Sequence, residues 1–338
     1  MASSGSFWLI LAVVALALAF DYINGFHDTA NSIATTVLTG ALSIPWAIFL
    51  AASLNFLGAF MSKAVATTIG KGIVDPGKID LETVMAALVG AIIWNLLTWW
   101  KGLPSSSSHA LIGGIVGAVA ARHGFGDFHW AGLKLIGLAL LLSPIMGFIV
   151  GHLTMVATFW IFRRSAPGKL NHWFKIFQVL SASSMALSHG GNDAQKTMGL
   201  ITMALVAGGF VVPVGGAFPI PFWVVAACAA AMALGTAAGG WRIIKTVGRK
   251  VLCLQPVHGF AAETSGAAVI FVATALGAPV STTHVISSAI MGVGSSQSIR
   301  GIRWSIVKQI VSAWILTLPA SALMAALVSW AILYVFPK

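Results

Sequence analysis

Apolar residues fill long stretches of this chain, and polar residues gather in short groups between or within those stretches. A helix that crosses the hydrocarbon core of a bilayer needs about 20 mostly apolar residues. On that criterion the pattern predicts an all-α, polytopic membrane protein. The expected apolar segments lie near residues 7–40, 46–70, 84–101, 104–121, 131–162, 173–207, 219–240, 256–278, 279–294 and 303–335.

Two polar octets of related sequence lie inside the first and sixth segments. The first octet is residues 25–32 (GFHDTANS), and the second octet is residues 190–197 (GGNDAQKT). Burying carboxylates and other polar groups unpaired in hydrocarbon costs several kcal/mol, so we expect both octets to have a function. Both segments are longer than one crossing requires, and we expect their helices to be interrupted at the octets.

Two short segments each begin near a proline and continue with hydroxyl residues. Their sequences are PSSSSH at 104–109 and PVSTTH at 279–284, offset by 284 − 109 = 175 residues. The octets are offset by 193 − 28 = 165 residues, and Pro144 and Pro319 are again 175 residues apart. The motifs therefore occur twice, in the same order.

This repetition predicts two homologous halves, 1–162 and 173–338, joined by a basic linker at 163–172. Connection 241–250 holds four Lys or Arg residues and no acid, whereas its first-half counterpart, 71–82, holds two Lys and three acids. Positive charge favours the cytoplasmic side, so equivalent connections are expected on opposite faces. About five membrane segments per half give that inversion, with both termini outside. Inverted repeats with interrupted helices are typical of secondary transporters, whose site lies near the midplane.

Composition agrees with a membrane protein. Of 338 residues, 58% are hydrophobic and 8% are charged, against about 25% charged in soluble domains. The net charge of +11 is spread over short connections and indicates topology, not nucleic-acid binding. The first Lys or Arg is Lys63, so a cleavable signal peptide is not expected. Cys228 and Cys253 follow no metal-binding or disulfide pattern.

The hydroxyl groups after each proline are candidates for anion binding. We name residues 105–108 the first hydroxyl segment and residues 281–283 the second hydroxyl segment. A helix that starts there would offer free N–H groups, hydroxyls and the positive end of its dipole. The alternative is that these residues only cap helices and pack small-residue interfaces. The candidate anion-binding residues are Ser105, Ser106, Ser107, Ser108, Ser281, Thr282 and Thr283.

Asp28 and Asp193 would repel an oxyanion unless a cation accompanies it. Carboxylates, Asn side chains and carbonyls freed by an interrupted helix bind Na⁺ in transporters, and a buried Asp can instead carry a proton. The alternative is an Asp that caps a helix, with Asn31 or Lys196 as its partner. Glu263 is either a further cation or proton site or a paired packing residue, and its rough first-half counterpart is Asn55. The candidate coupling residues are Asp28, Asn31, Asn192, Asp193 and Glu263, and weaker candidates are Asp21, Asn24, His27, Asn55, His109, Lys196 and His284. Histidines such as these and His189 are more often hydrogen-bonded structural residues than metal ligands.

The whole set of motifs, together with Gly259–Thr264 and Trp314–Pro319, resembles the PiT family of inorganic phosphate transporters. The resemblance covers nearly the whole chain and implies symport of phosphate with Na⁺ or H⁺. It makes Asp28 and Asp193 the essential motif aspartates, with Asn31 in the same motif, and places phosphate at the hydroxyl segments. Glu263 matches the acidic residue of the family's second half.

Two positions depart from the family pattern. Sodium-coupled animal members carry Glu where this chain has Asn55, and the first octet has His27 before Asp28 where Asn is usual. Na⁺ at Asp28 and Asp193 and proton coupling therefore both stay open. The family also includes sulfate carriers and members that move phosphate as a metal complex.

The sequence as a whole predicts an importer of inorganic phosphate in the cell inner membrane, coupled to H⁺ or Na⁺ and working by alternating access. No cofactor is expected besides the coupling ion, and the expected partners are phosphate, lipid and a second copy in a homodimer. The alternatives are a sulfate permease of the same fold and an anion channel. A hydrolase is not expected, because each candidate Ser, His and Asp occurs twice, once in each half.

Overall fold

The computed structural model describes residues 4–213, 218–239 and 254–335, without the side chains of residues 4–6, 29–32, 167, 169 and 301. These ranges form α-helices and one short 3-10 helix, Ile299–Gly301, and contain no strand beyond an isolated bridge between Val74 and Phe128. The α-helices are α1 (Ser4–Leu38), α2 (Ile44–Gly58), α3 (Ala64–Gly72), α4 (Leu81–Lys101), α5 (Ser107–His123), α6 (Trp130–Phe162), α7 (Pro167–Ala207), α8 (Phe222–Ala238), α9 (Pro256–Ala275), α10 (Thr282–Gln297) and α11 (Trp304–Val335).

Helices α1, α4, α6, α9 and α11 are long and apolar enough to cross a membrane. The expected all-α, multi-pass class is thereby confirmed. The apolar surfaces of α6 and α11 are much less buried than those of α4 and α9. Helices α6 and α11 therefore lie at the periphery, where lipid would cover them, and α4 and α9 lie inside.

Helices α1 and α7 are continuous through the octets, with 35 and 41 residues respectively. The expectation that they are interrupted there is wrong. A Cβ atom on Gly25 would collide with the carbonyl oxygen of Met232, and one on Gly190 with that of Asn55. The octet glycines thus serve close helix packing, and their cost inside a helix is only about 1 kcal/mol each.

The predicted segment 46–70 is the one that breaks, between the end of α2 and the start of α3. The side chain of Gln195 in the second octet accepts hydrogen bonds from the backbone N–H groups of Val65 (2.9 Å) and Ala66 (3.3 Å). Those groups lie in the first turn of α3 and have no partner within their own helix. An octet side chain therefore stabilises the interruption of a neighbouring helix.

The connection between the halves is shorter than predicted. Helix α7 begins at Pro167, inside the expected linker 163–172. Proline suits the first turn of a helix because its missing N–H would have no partner there. The expected basic connection 241–250 and Cys253 lie outside the described residues.

The two halves pack reciprocally. Helix α1 contacts α8 as α7 contacts α2, and α5 contacts α11 as α10 contacts α6. Likewise α4 packs on α5 and α11, while α9 packs on α10 and α6. This exchange of equivalent helices supports two homologous halves, and their inversion across the membrane stays a prediction.

Candidate functional site

The first hydroxyl segment, the residue just before the second hydroxyl segment and the second octet meet in the interior at Lys196. Its ammonium group donates to the Ser108 hydroxyl (2.5 Å) and to the carbonyl oxygen of Val280 (2.7 Å), next to the second hydroxyl segment. The Ser108 hydroxyl in turn donates to the same Val280 oxygen (3.3 Å). All three residues are buried. Helices α5, α7 and α10 thus bring together motifs that are far apart in the chain.

Asp193 lies at the centre of this cluster and is completely buried. It forms an ion pair with Lys196, and its other oxygen lies 3.2 Å from Nε2 of His189 and accepts a hydrogen bond from Thr282 (2.9 Å). The sequence is compatible with a Lys196 that contacts substrate or one that neutralises Asp193, and the ion pair in the structure corresponds to the second of these. The negative charge of the second octet is balanced by the protein itself.

Asn55 fixes His189 from the neighbouring helix α2. Its side-chain oxygen lies 3.1 Å from Nδ1 of His189, and its amide nitrogen donates to Thr236 in α8 (3.0 Å). The expectation from the sequence that Asn55 is the rough counterpart of Glu263 is wrong. It lies in α2, whereas position 263 − 175 = 88 in α4 is occupied by Leu88. The two halves carry different side chains at the position of Glu263.

Asp28, in the first octet, has a different environment. Its carboxylate lies 2.7 Å from Nδ1 of His27, and Nε2 of His27 lies 3.1 Å from the Thr98 hydroxyl and 3.4 Å from the Ser105 hydroxyl. Ser105 also donates to Thr98 (2.8 Å). The first octet thus reaches the first hydroxyl segment through His27. The side chain of Asn31 lies outside the described residues.

Two of the hydroxyl residues are helix caps, as the structural alternative predicted. Ser106 accepts from the backbone N–H of His109, and Ser281 accepts from that of His284, both at 3.2 Å. The buried hydroxyl oxygen of Ser107, by contrast, has no hydrogen-bond partner among the described residues. Ser107 and the remaining first-turn N–H groups are therefore the better candidates for holding an anion.

His109 and His284 also bring the hydroxyl segments together. Their rings lie against each other at a tilt of 32° with centroids 4.4 Å apart, and Trp314 stacks on His284 with centroids 4.0 Å apart. The indole N–H of Trp314 donates to the carbonyl oxygen of Pro104 (3.2 Å). Both histidines and the first of the two prolines that mark the segments therefore belong to one packed unit.

Glu263 occupies a separate polar cluster and is fully buried. It accepts hydrogen bonds from Thr35 (2.5 Å) and Thr36 (2.7 Å) in α1. Gln178 (3.2 Å) and Ser181 (2.6 Å) in α7 donate to it as well. Sequence reasoning missed these four donors and Thr98, although polar residues one turn apart in an apolar helix, such as Gln178 and Ser181, are a usable signal.

Asn192, Asp21 and Asn24 complete the candidates and are all buried. Asn192 donates to the Thr274 hydroxyl (2.8 Å) and to the carbonyl oxygen of Ala278 (3.3 Å). Its side-chain oxygen, that of Asn24 and both carboxyl oxygens of Asp21 have no partner among the described residues. Several buried oxygen atoms among the described residues therefore make no hydrogen bond of normal geometry.

The phosphate transporter family matches residues 24–325 of this chain. The chain belongs to that family. The resemblance in its motifs is thus confirmed, and the protein is a transporter and not an enzyme.

Relatives along nearly the full length agree. A protein of Rhizobium meliloti (strain 1021) is 49% identical over 323 residues, covering 95% of this chain and 96% of the relative. One of Bacillus subtilis (strain 168) is 50% identical over 321 residues, covering 94% and 96%. Both are named "probable low-affinity inorganic phosphate transporter". The solved structure titled "The sodium-dependent phosphate transporter" is 25% identical, with a TM-score of 0.89 over 97% of this chain and 100% of that one.

Proposed function

We propose that this protein imports inorganic phosphate by symport with H⁺ or Na⁺, through alternating access of its two halves to the two sides of the membrane. The observation that carries the proposal is that both hydroxyl segments reach the Asp193–Lys196 pair. Lys196 bonds Ser108 and the Val280 carbonyl oxygen, and Thr282 donates to Asp193. A buried cation between two helix N-termini is suited to a small oxyanion.

Phosphate would be held by hydrogen-bond donors, because its oxygen atoms accept. The Ser107 hydroxyl and the first-turn N–H groups of α5 and α10 provide such donors from both halves. Lys196 adds a charged donor, and charge-assisted hydrogen bonds are the stronger kind. An arriving phosphate would compete with Asp193 for this ammonium group, so binding of phosphate and the charge of Asp193 are coupled.

The coupling cation would act at the octets. Lys196 balances only one of the two octet aspartates, and phosphate adds further negative charge to the same region. Buried charge is tolerated only when it is paired, so a proton or Na⁺ must enter with the anion. Asp28, Asn31, Asn192 and Asp193 are the proposed coupling residues, and Glu263 is a further one.

The proposal extends to the cellular setting. We place the protein in the cell inner membrane with both termini outside, acting as a homodimer on phosphate, either free or as a metal complex. Labelling of single cysteines introduced at each terminus with an impermeant reagent in intact cells would test the orientation. Protected termini would contradict it.

Uptake of radiolabelled phosphate by proteoliposomes tests the function. We expect competition by arsenate, which has the same tetrahedral shape and charge, and competition by sulfate alone would support a sulfate permease instead. Ser107→Ala should reduce uptake by about tenfold, since losing one hydrogen bond to a charged group costs roughly 1.5–3 kcal/mol. The control is Ser184→Ala, an exposed serine in α7 that should retain uptake. Normal uptake by Ser107→Ala would remove that residue from the site.

A further inference from the structure

Asp21 is a buried carboxylic acid that forms no ion pair with any described basic side chain. It lies in α1, seven residues before Asp28, and its side chain is completely inaccessible to solvent. Neither of its oxygen atoms has a hydrogen-bond partner among the described residues. An ionised carboxylate in such a place costs several kcal/mol unless it takes up a cation or a proton.

Three helices surround this carboxyl group. Asn24 lies one turn further along α1, Thr197 faces it from α7, and the thiol of Cys228 faces it from α8. Asp193 of α7 is the charged residue that acts on it, and it repels a second negative charge. The oxygen of Asn24 and the hydroxyl of Thr197 are themselves buried without a hydrogen-bond partner among the described residues. Three side chains with unused polar atoms thus face one another in the interior.

We propose that Asp21 is a proton-binding site, separate from Asp28 and Asp193, which takes up and releases one proton in each transport cycle. Thr197 and Asn24 position the protonated carboxyl group. The proposal rests on phosphate symport as the function and specifies one ion and one residue for it.

A proton fits this place better than Na⁺. Sodium in transporters is held largely by backbone carbonyls that an unwound helix releases. Helices α1 and α7 are continuous here, so their carbonyl groups are used in helical hydrogen bonds. Asp21, Asn24 and Thr197 alone offer few oxygen ligands, whereas a proton needs only the carboxyl group and one acceptor.

The position of Asp21 also links the proton to phosphate. Its neighbour Thr197 directly follows Lys196, which bonds Asp193 and the first hydroxyl segment. When Asp21 is neutral, Asp193 and Lys196 form a balanced pair beside it. When Asp21 is ionised, it repels Asp193 and adds a second negative charge to the region that phosphate would enter. Proton binding should therefore strengthen phosphate binding, and phosphate should strengthen proton binding by the same factor.

The test uses full-length protein in liposomes with radiolabelled phosphate and either an inward pH gradient or an inward Na⁺ gradient. We expect the phosphate accumulation that a pH gradient drives to be at least about tenfold lower in Asp21→Asn than in the wild type. This factor is equivalent to roughly 1.4 kcal/mol. Its phosphate exchange should persist at a reduced rate and no longer depend on pH. Asp21→Glu should keep proton coupling, and Asp75→Asn, at an exposed carboxylate between α3 and α4, is the control.

The outcomes separate the two proposals. If Asp21→Asn accumulated phosphate under a pH gradient to the same level as the wild type, the proposed role of Asp21 would be overturned. Wild-type uptake that follows a Na⁺ gradient and ignores a pH gradient would do the same, while leaving phosphate symport intact. Absence of any phosphate exchange by the wild type would overturn the proposed function itself.

A second measurement does not depend on how well the Asp21 variants fold. Infrared difference spectra of the wild type between acidic and alkaline pH should show the C=O band of a buried protonated carboxyl group. The band should persist in Asp28→Asn, in Asp193→Asn and in Glu263→Gln, since Glu263 is the other fully buried acid among the proposed coupling residues. Its absence from the wild type, or its loss in any of these variants, would contradict the assignment to Asp21.

Discussion

The two octet aspartates occupy equivalent places in the two halves but have different partners. Asp193 is bound by Lys196, His189 and Thr282, whereas Asp28 has His27 as its partner among the described side chains. The repeat thus provides the same scaffold twice, and single substitutions make the two copies unequal. The second copy carries a lysine as a fixed counter-ion, and the first copy has no lysine or arginine at its aspartate among the described side chains.

The same contrast occurs where each short helix ends. Asp80 at the start of α4 accepts from Arg122 at the end of α5 (2.7 Å). The residues 175 positions later are Gln255 and Gln297, and Gln297 lies 2.6 Å from the ring of His258. The first half thus has an ion pair between these helix ends, whereas Gln297 in the second half bonds His258, three residues after Gln255.

Asp193→Asn should have the largest effect. It leaves the Lys196 ammonium group buried without its counter-ion, which costs roughly 3–5 kcal/mol of stability, and it should abolish phosphate uptake. Thermal unfolding in detergent and uptake by proteoliposomes measure the two effects. The double variant Asp193→Asn/Lys196→Gln should regain stability but not uptake. A single variant as stable and active as the wild type would show that the pair has no role.

Asp28→Asn should separate stability from transport. No buried lysine loses its counter-ion in this variant, and the Asn oxygen can still accept a hydrogen bond from His27. The free energy of unfolding should therefore fall by about 1 kcal/mol or less. Uptake should nevertheless fall by about 100-fold, because the variable charge of this octet is gone. Comparing unfolding temperature and uptake with those of Asp193→Asn checks the contrast. Equal stability losses in the two variants would contradict it.

Arg122→Gln should have the smallest effect of the three, because Asp80 is partly exposed and water screens the pair. We expect a loss of about 1 kcal/mol at low salt that shrinks at high salt. Gln297→Ala is the matched control in the other half and should lose a similar amount independently of salt. Denaturation in detergent at two salt concentrations measures both. A salt-independent loss in Arg122→Gln would argue against the ion pair.

Much of the fold and of the candidate site can be predicted from the sequence. The membrane class, the four motifs and the short helices α5 and α10 follow from apolar runs and from prolines before hydroxyl residues, because hydropathy and helix start signals are local. The candidate residues were also found in this way, except for partners such as Thr98 and Gln178. Those partners carry no distinctive motif, and only their neighbours in space give them a role.

The sequence by itself determined which polar groups enter the membrane, because these groups lie within apolar runs that are long enough to cross it. The tertiary structure decided what those groups contact: the Asp193–Lys196 pair with both hydroxyl segments, Glu263 with donors from α1 and α7, and Asp21 with neighbours from α7 and α8. It also decided that α1 and α7 stay continuous, since the octet glycines pack against other helices. Such contacts join residues up to 228 positions apart, as between Thr35 and Glu263, and no local pattern encodes them.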